Sequence, residues 1–585
     1  MSKDKENIIF LLKRLWLHIS KKRHTQLSIL FILMVFSSIA EIVSIGSVIP
    51  FLGILTSPEQ FFNNDSLQPA INFFNFKSAD EVIWPLTLLF ISATIFAGGI
   101  RLFLVFVSTK LSFATGHDLS IDVYNRTLYQ PFHVHIDRNS SEIVNGVATK
   151  TDLVIFNIIL PFLNFLSSMV MVFLITVALI VLNPLVALSV IGGIGCIYLL
   201  LIKLSTFKLL GNSQKIADKS TVRIKSLQEG IGGIRDILLS GTQEIYCNLY
   251  KEADRPLRRA QANNAFISLS PRYAMEALGM ILIASVAFYF TVIDTTVESI
   301  IPLLGALALG AQRMLPMLQL AYAGWSTILG GKASLVDILE FLDQKIPQSN
   351  DEVEINFDHE ISFKDITFRY QEDQMNILEN INIDIPKGSC VGFIGKTGSG
   401  KSTMLDILMG LLLPTSGELI VDGKTVLPDN LRSWQKNISH VPQDIFLSDN
   451  TIIENIAFGI PFDQIDIDRV HEAVSIAQLS DVINDLPKKY DTLVGERGVR
   501  LSGGQKQRIG IARSLYSNSK IMILDEATSA LDEITERKVI DEISKTSSDI
   551  TLFMIAHRTS TLKNCDFIVE LADKGINRIL DYKEL

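Results

Sequence analysis

Residues 501–532, LSGGQKQRIGIARSLYSNSKIMILDEATSALD, decide how this 585-residue chain is read. Leu501-Ser502-Gly503-Gly504-Gln505 is a glycine-rich turn ahead of a helical pattern, so its amides face an anion at a helix N-terminus. The apolar run 521–524 reads as a short buried strand, and it delivers Asp525 and Glu526 at its C-terminal end. Open α/β sheets place their ligand chemistry there. A carboxylate at that point holds Mg²⁺ through water, and the next one polarises an attacking water.

A second motif lies about a hundred residues upstream. Gly395-Lys396-Thr397-Gly398-Ser399-Gly400-Lys401-Ser402 fits the phosphate-binding pattern GxxxxGK[ST], between an apolar strand (390–394) and a helical stretch (404–413). That context confirms the motif. The glycines let backbone amides cradle phosphate, Lys401 reaches the β/γ-phosphates and Ser402 ligates Mg²⁺. The expected nucleotide-binding run extends through Thr403.

Together these segments resemble the Walker A, signature, Walker B and D-loop of ATP-binding cassette (ABC) transporters. The resemblance implies ATP and Mg²⁺ as ligands and carries roles residue by residue. Tyr370 stacks on adenine, and Gln443 in HVPQD contacts Mg²⁺ and the water. Glu496 in VGERG fits the exporter-type X-loop. Ser502 and Gly504 contact the γ-phosphate from the opposite subunit, and Gly503 and Gln505 belong to the same nucleotide-binding signature. Asp532 belongs to the D-loop and His557 in IAHR is the switch histidine. Glu526 is the catalytic carboxylate, with His557 and Gln443 assisting, and Ser402, Gln443 and Asp525 form the metal set. Since one cassette is half of such a machine, the intact motifs favour a homodimer.

The chain is 48% hydrophobic with mean hydropathy +0.32, unusual for a soluble enzyme. A net charge of −9 argues against nucleic acid as partner. Cys196, Cys247, Cys390 and Cys565 lack metal or disulfide spacing and read as reduced thiols. Lys13, Arg14, Lys21, Lys22 and Arg23 precede an apolar run longer than a signal-peptide core and without a cleavage site. A retained membrane anchor is expected.

Six apolar segments, near 27–55, 83–107, 158–182, 185–207, 265–292 and 300–323, each approach the ~20 residues that cross a bilayer. Asn183-Pro184 supplies the turn between the third and fourth. Arg126, Lys150, Lys215, Arg235, Arg255 and Arg258 crowd two long loops, so the positive-inside rule puts both loops and both termini in the cytoplasm. Within those loops, 131–151 and 227–244 are expected as coupling helices. The outer segment 58–82 carries Phe61, Phe62, Phe73, Phe74 and Phe76, and lies on the membrane surface or packs on the bundle.

Charges inside spans cost roughly 2.5–3.5 kcal/mol each on insertion scales, so each needs a reason. Glu41 is in the first span, Arg101 in the second, Arg272 and Glu276 in the fifth and Arg313 in the sixth. By helical rise the three arginines share one depth toward the cytoplasmic leaflet, with Glu41 shallower. Three guanidinium forks at one level can bind a pyrophosphate. The bland alternatives are an Arg272–Glu276 pair at i,i+4, a Glu41–Arg101 bridge, and snorkelling.

The first span with Glu41 and Pro50, Pro271-Arg272, and Arg313 ahead of Pro316 are similar to bacterial lipid-linked oligosaccharide flippases. This implies a polyprenyl-pyrophosphate-linked glycan moved from the inner to the outer leaflet of the bacterial inner membrane. The rivals are a lipid, drug or peptide exporter, or a non-transporting membrane regulator or channel. The expected architecture is a six-helix exporter-type membrane bundle over 1–330, a linker over 331–351 and a cytoplasmic α/β P-loop cassette over 352–585. The chain is expected to end about where such a cassette does.

Overall fold

The structure, a computed structural model, describes residues 6–56, 58–62, 68, 72, 76–182, 184–292, 297–347, 354–546, 549–556 and 558–584. It divides into two compact units: Met1–Gln130 with Arg138–Ile346, and Pro131–Asp137 with Pro347–Leu585.

The first unit is helical. Its main helices are α1 (Ile8–His18), α2 (Lys21–Gly46), α3 (Val48–Thr56), α4 (Ala79–Leu128), α5 (Leu160–Leu182), α6 (Pro184–Gly232), α7 (Gln243–Leu269), α8 (Pro271–Val292) and α9 (Val297–Leu342). At 1.5 Å per residue, helices like the 50-residue α4 and 49-residue α6 run about 75 Å, more than twice the ~30 Å hydrocarbon core. Lys21–Leu55, Ala79–Leu128 and Ser140–Ala178 are long and apolar enough to span a membrane, among the described residues.

Prolines account for two breaks in the expected spans. The first span divides at Ser47, where Pro50 lacks an N–H and its ring opposes the carbonyl of Gly46. The fifth divides at Ser270, ahead of Pro271, so its membrane part is α8. Pro184 opens α6 at the helix start where proline is tolerated, while Asn183 lies outside the described residues. Helix α9 runs on into the start of the expected linker. Leu335, Ile338, Leu339 and Leu342 on α9 are buried with Leu119, Val123 and Val154, so 331–342 belongs to the helical unit.

Small residues bring these helices close. A Cβ on Gly324 of α9 would lie 2.8 Å from the Pro161 carbonyl of α5, and one on Gly331 would lie 2.9 Å from Asn157. Glycine is what allows that approach. The span Ser140–Ala178 contains two π-helical stretches, Asn145–Lys150 and Ile155–Ile159. There, buried Asn145 donates to Thr221 Oγ1 at 3.0 Å and accepts from Ser220 at 2.9 Å.

The two segments expected as coupling helices each hold a short helix, Phe132–Asp137 and Ile234–Ser240. The second ends on Gly241 in the left-handed region and leaves Leu239 81% exposed. Of the outer segment, Pro58–Phe62 is helical, whereas Phe73 and Phe74 lie outside the described residues.

The cassette strands are β1 (Glu360–Phe368), β2 (Leu378–Pro386), β3 (Cys390–Ile394), β4 (Ser416–Val421), β5 (Lys424–Thr425), β6 (Ile438–Val441), β7 (Ile521–Asp525), β8 (Thr551–Ile555), β9 (Phe567–Ala572) and β10 (Gly575–Leu580). One sheet is antiparallel in the order β2-β1-β4-β5; the other runs β10-β9-β3-β8-β7-β6, parallel from β9 to β6. Continuous apolar runs such as IMIL and TLFMI suit strands covered on both faces. The parallel sheet carries the site, because the P-loop follows β3 and the carboxylates end β7.

Candidate functional site

The P-loop, 395–400, links β3 to α10 (Lys401–Leu408). Gly395, Gly398 and Gly400 take φ of +149°, +84° and +94°, open to glycine at little steric cost. A Cβ on Gly395 would meet the Leu571 carbonyl at 2.4 Å, so backbone alone fits there. Lys401 Nζ donates to the Gly395 and Lys396 carbonyls at 2.8 and 3.0 Å, which arches it over the loop. Ser399 Oγ is buried with no hydrogen-bond partner among the described residues. Such a cradle of amides with an ammonium over it fits a polyphosphate. Tyr370 is 43% exposed, edge-on to Phe368, with its hydroxyl 3.3 Å from Thr403 Oγ1. It therefore offers a free ring face beside the loop.

Asp525 and Glu526 end β7. Burial, reinforced by Glu526, raises the Asp525 carboxyl, while Lys401 and Ser402 pull it back down. Lys401 and Ser402 open α10 while Asp525 ends β7, and the fold brings the lysine charge and the serine hydroxyl within range of the carboxylate. Burial and the Asp525 charge hold neighbouring Asp406 at about 6. Gln443, in the loop after β6, donates through Nε2 to Glu526 Oε2 at 2.6 Å. Glu526 itself has φ +50°, a conformation a non-glycine residue adopts only when its surroundings impose it. Its amide donates to the Ile555 carbonyl at 3.0 Å, which ties the carboxylate to the end of β8. Asp525, Ser402 and Gln443 supply oxygen ligands of the kind Mg²⁺ takes alongside substrate phosphates and water. His557 follows β8 and lies outside the described residues.

The signature opens α11 (Gly503–Tyr516) with a capping box: Ser502 Oγ accepts from the Gln505 amide at 3.3 Å, and Gln505 Oε1 accepts from the Ser502 amide at 2.8 Å. This reciprocal bond presents Ser502 and Gly503, both exposed, at the helix N-terminus. Asp532 caps α12 (Glu533–Thr546) by accepting from the Thr535 amide at 2.9 Å, and those amides hold its carboxyl below the usual range. Glu496 starts a single 3₁₀ turn, Glu496–Gly498.

Two connecting residues escaped the sequence reading. Gln507 donates to Ser529 Oγ at 3.0 Å and accepts from the Ala530 amide at 2.8 Å, fastening the signature helix to the 526–532 loop. Glu536, on α12, accepts from Thr528, Thr561 and Arg558. The signal for both was a polar residue on a buried helical face, beside Ile511 for Gln507 and beside Val539, Ile540 and Ile543 for Glu536.

In the membrane unit, Glu41 is 4% exposed and its carboxylate lies 3.6 Å from Arg101, itself 37% exposed. Long side chains close the depth difference expected between them. Arg101 also reaches Met317 Sδ at 3.9 Å, and Ser44 and Thr94 hydroxyls pair at 3.2 Å nearby in sequence. Arg272 pairs with Glu276 at 2.9 Å, as the i,i+4 spacing allowed. Arg313 lies on α9 one turn before Met317, and its side chain is outside the described residues. The geometry thus joins Glu41 to Arg101 and leaves Arg272 with its own helix partner.

A profile of the ABC transporter transmembrane region matches 26–304, and one of the ABC transporter cassette matches 378–529. The leukotoxin translocation ATP-binding protein LktB of Pasteurella haemolytica-like sp. (strain 5943B) is 42% identical over 216 residues, 37% of this chain and 30% of that one. The ATP-dependent lipid A-core flippase of Ralstonia nicotianae is 39% identical over 227 residues, 39% of this chain and 38% of that one. The matches thus span about a third of the length of these relatives. A solved structure of a bacterial Atm1-family ABC exporter with ATP bound shares the fold at TM-score 0.78 and 21% identity, covering 96% of both chains. With both matched regions fused in one polypeptide, the chain belongs to the ABC transporters and has the fold of an exporter half-transporter.

Proposed function

We propose that the chain hydrolyses ATP to export an amphipathic substrate across the bacterial inner membrane, working as a homodimer with its cassette in the cytoplasm. Convergence of Gln443 on Glu526 beside the P-loop supports hydrolysis. Lys401 and the loop amides bind the phosphates, Ser402, Gln443 and Asp525 hold Mg²⁺, and Glu526 orients and deprotonates the attacking water, with His557 assigned to assist it. Bound Mg²⁺ supplies charge neutralisation on the phosphate oxygens. The exposure of Ser502 and Gly503 supports their completing the site of a second copy. Exposed Leu239 supports coupling of the second cytoplasmic loop to a cassette.

For the substrate we favour a polyprenyl-pyrophosphate-linked oligosaccharide or related glycolipid, moved from the inner to the outer leaflet. The carrying observation is the Glu41–Arg101 pair inside apolar helices, with Arg313 one turn from the Met317 that Arg101 touches. The partly exposed guanidinium retains donors for an anionic head group. The lipid A-core flippase similarity agrees with a glycolipid; the leukotoxin relative favours a polypeptide as second reading.

The test is ATPase activity in proteoliposomes with short-chain lipid-pyrophosphate-linked saccharides. Stimulation is expected for the wild type and lost in Arg101→Ala/Arg313→Ala, with basal hydrolysis preserved. Glu41→Gln/Arg101→Gln, which leaves neither charge buried alone, controls for stability. A response to unrelated amphiphiles or peptides, with none to the saccharide lipid, would refute the glycolipid reading.

A further inference from the structure

Glu536 is a carboxylate buried where an apolar residue would pack as well. Its side chain is 7% exposed, on the face of α12 that also carries Val539, Ile540 and Ile543. Three donors converge on it. Thr528 and Thr561 hydroxyls each donate to Oε1 at 2.7 Å, and Arg558 Nη1 donates to Oε2 at 3.0 Å.

The donors come from two different loops. Thr528 sits two residues past Glu526. Arg558 directly follows His557, and Thr561 lies in the 3₁₀ turn Thr559–Asn564. A single carboxylate therefore clips together the loop after β7, the loop after β8 and the start of α12. Those loops carry the two groups assigned to the water, and one of them, Glu526, holds a backbone conformation that needs outside support. A buried, fully hydrogen-bonded charge is a poor way to gain stability and a good way to fix geometry.

We propose that Glu536 is a positioning residue for hydrolysis, holding the Glu526 and His557 loops in register so that its loss slows the chemical step without weakening nucleotide binding. This rests on the reading of the cassette as an ATPase. Glu536→Gln keeps the shape and one acceptor oxygen. That oxygen can serve the two threonines, leaving the new amide against Arg558, where donor meets donor.

The experiment measures ATPase kinetics, binding of a fluorescent ATP analogue and Tm on the full-length protein for wild type, Glu536→Gln, Arg558→Gln and the double variant. The expected result is kcat down about ten- to hundredfold from misplaced groups, with KM for ATP and analogue affinity within about twofold of wild type. The double variant should be no slower than the slower single variant, because both break one contact. A purely structural role would instead lower analogue binding and Tm together, with kcat per folded site unchanged, and would overturn the proposal. Should Glu536→Gln not fold, Thr528→Val removes one donor from the carboxylate and carries the same expectation. An inactive wild type overturns the ATPase reading; an active wild type matched in kcat by the variant overturns the positioning role alone.

Discussion

Replacing Glu526 by Gln tests the core of the site most directly. The amide is isosteric, and Gln443 Nε2, 2.6 Å from Oε2, can still donate to the remaining carbonyl oxygen. The backbone tie from the Glu526 amide to Ile555 is untouched, so the loop keeps its place. What disappears is the basic oxygen. Loss of a positioned general base costs about 10²–10⁴-fold, or about 3–5 kcal/mol on the barrier. In the proposed site, phosphate and Mg²⁺ binding draw on Lys401, the loop amides, Ser402 and Asp525, none of which is replaced. Asp525 gains, because the Glu526 charge is one cause of its raised carboxyl. Removing that charge makes Asp525 easier to ionise, so Mg²⁺ binding is expected to hold or tighten. Phosphate release should therefore fall by two or more orders of magnitude while the thermal shift induced by Mg-ATP stays at wild-type size; ligand at about 100 times Kd is worth about 2.7 kcal/mol. Wild-type hydrolysis by the variant would refute the assignment of Glu526. A lost thermal shift would refute the claim that binding and chemistry reside on different residues.

Two further outcomes follow from packing and burial. A side chain at Gly324 would press on the Pro161 carbonyl at 2.8 Å and Phe165 Cβ at 3.2 Å, so Gly324→Val is expected to destabilise by about 1–3 kcal/mol. Gly99, with nothing within 4 Å, is the control: Gly99→Ala should leave Tm unchanged or higher, and equal effects at the two sites would contradict the close-approach argument. Asp406 sits at about 6, raised by burial and by Asp525. Because its folded value is raised, its contribution to stability is full below the unfolded value near about 4 and lost as pH rises through about 6. Asp406→Asn should accordingly flatten the decline in Tm of the nucleotide-free protein between about pH 4 and 7, Asp525 retaining part of the slope. Parallel Tm curves for the two proteins would discard this account.

The nucleotide site was legible because its chemistry is local. Gly395 to Ser402 and Ser502 to Gln505 each place backbone amides through a few consecutive dihedrals, and a strand ending in Asp525 and Glu526 states its own geometry. Three long apolar helices among the described residues were legible for a similar reason, since bilayer thickness imposes a length that composition alone satisfies. Helix ends were less so. Pro50 and Pro271 mark breaks inside apolar runs that hydropathy treats as continuous. The helix through 331–342 passes the expected domain boundary because Leu335, Ile338 and Leu339 find partners on α4 and the segment before α5.

By itself, the sequence determined the elements: a glycine-rich turn between a strand and a helix, long apolar helices, and carboxylates at a strand end. Those follow from short-range backbone geometry and from transfer free energies summed along the chain. Only the tertiary structure decided the pairings. Gln443 meets Glu526 and Glu41 meets Arg101 across separations of 83 and 60 residues, and Glu536 joins Thr528 to Arg558, which lie 30 residues apart. Such contacts depend on where packed elements cross. A polar residue's buried partner is chosen by the fold, and one chain of letters does not state it.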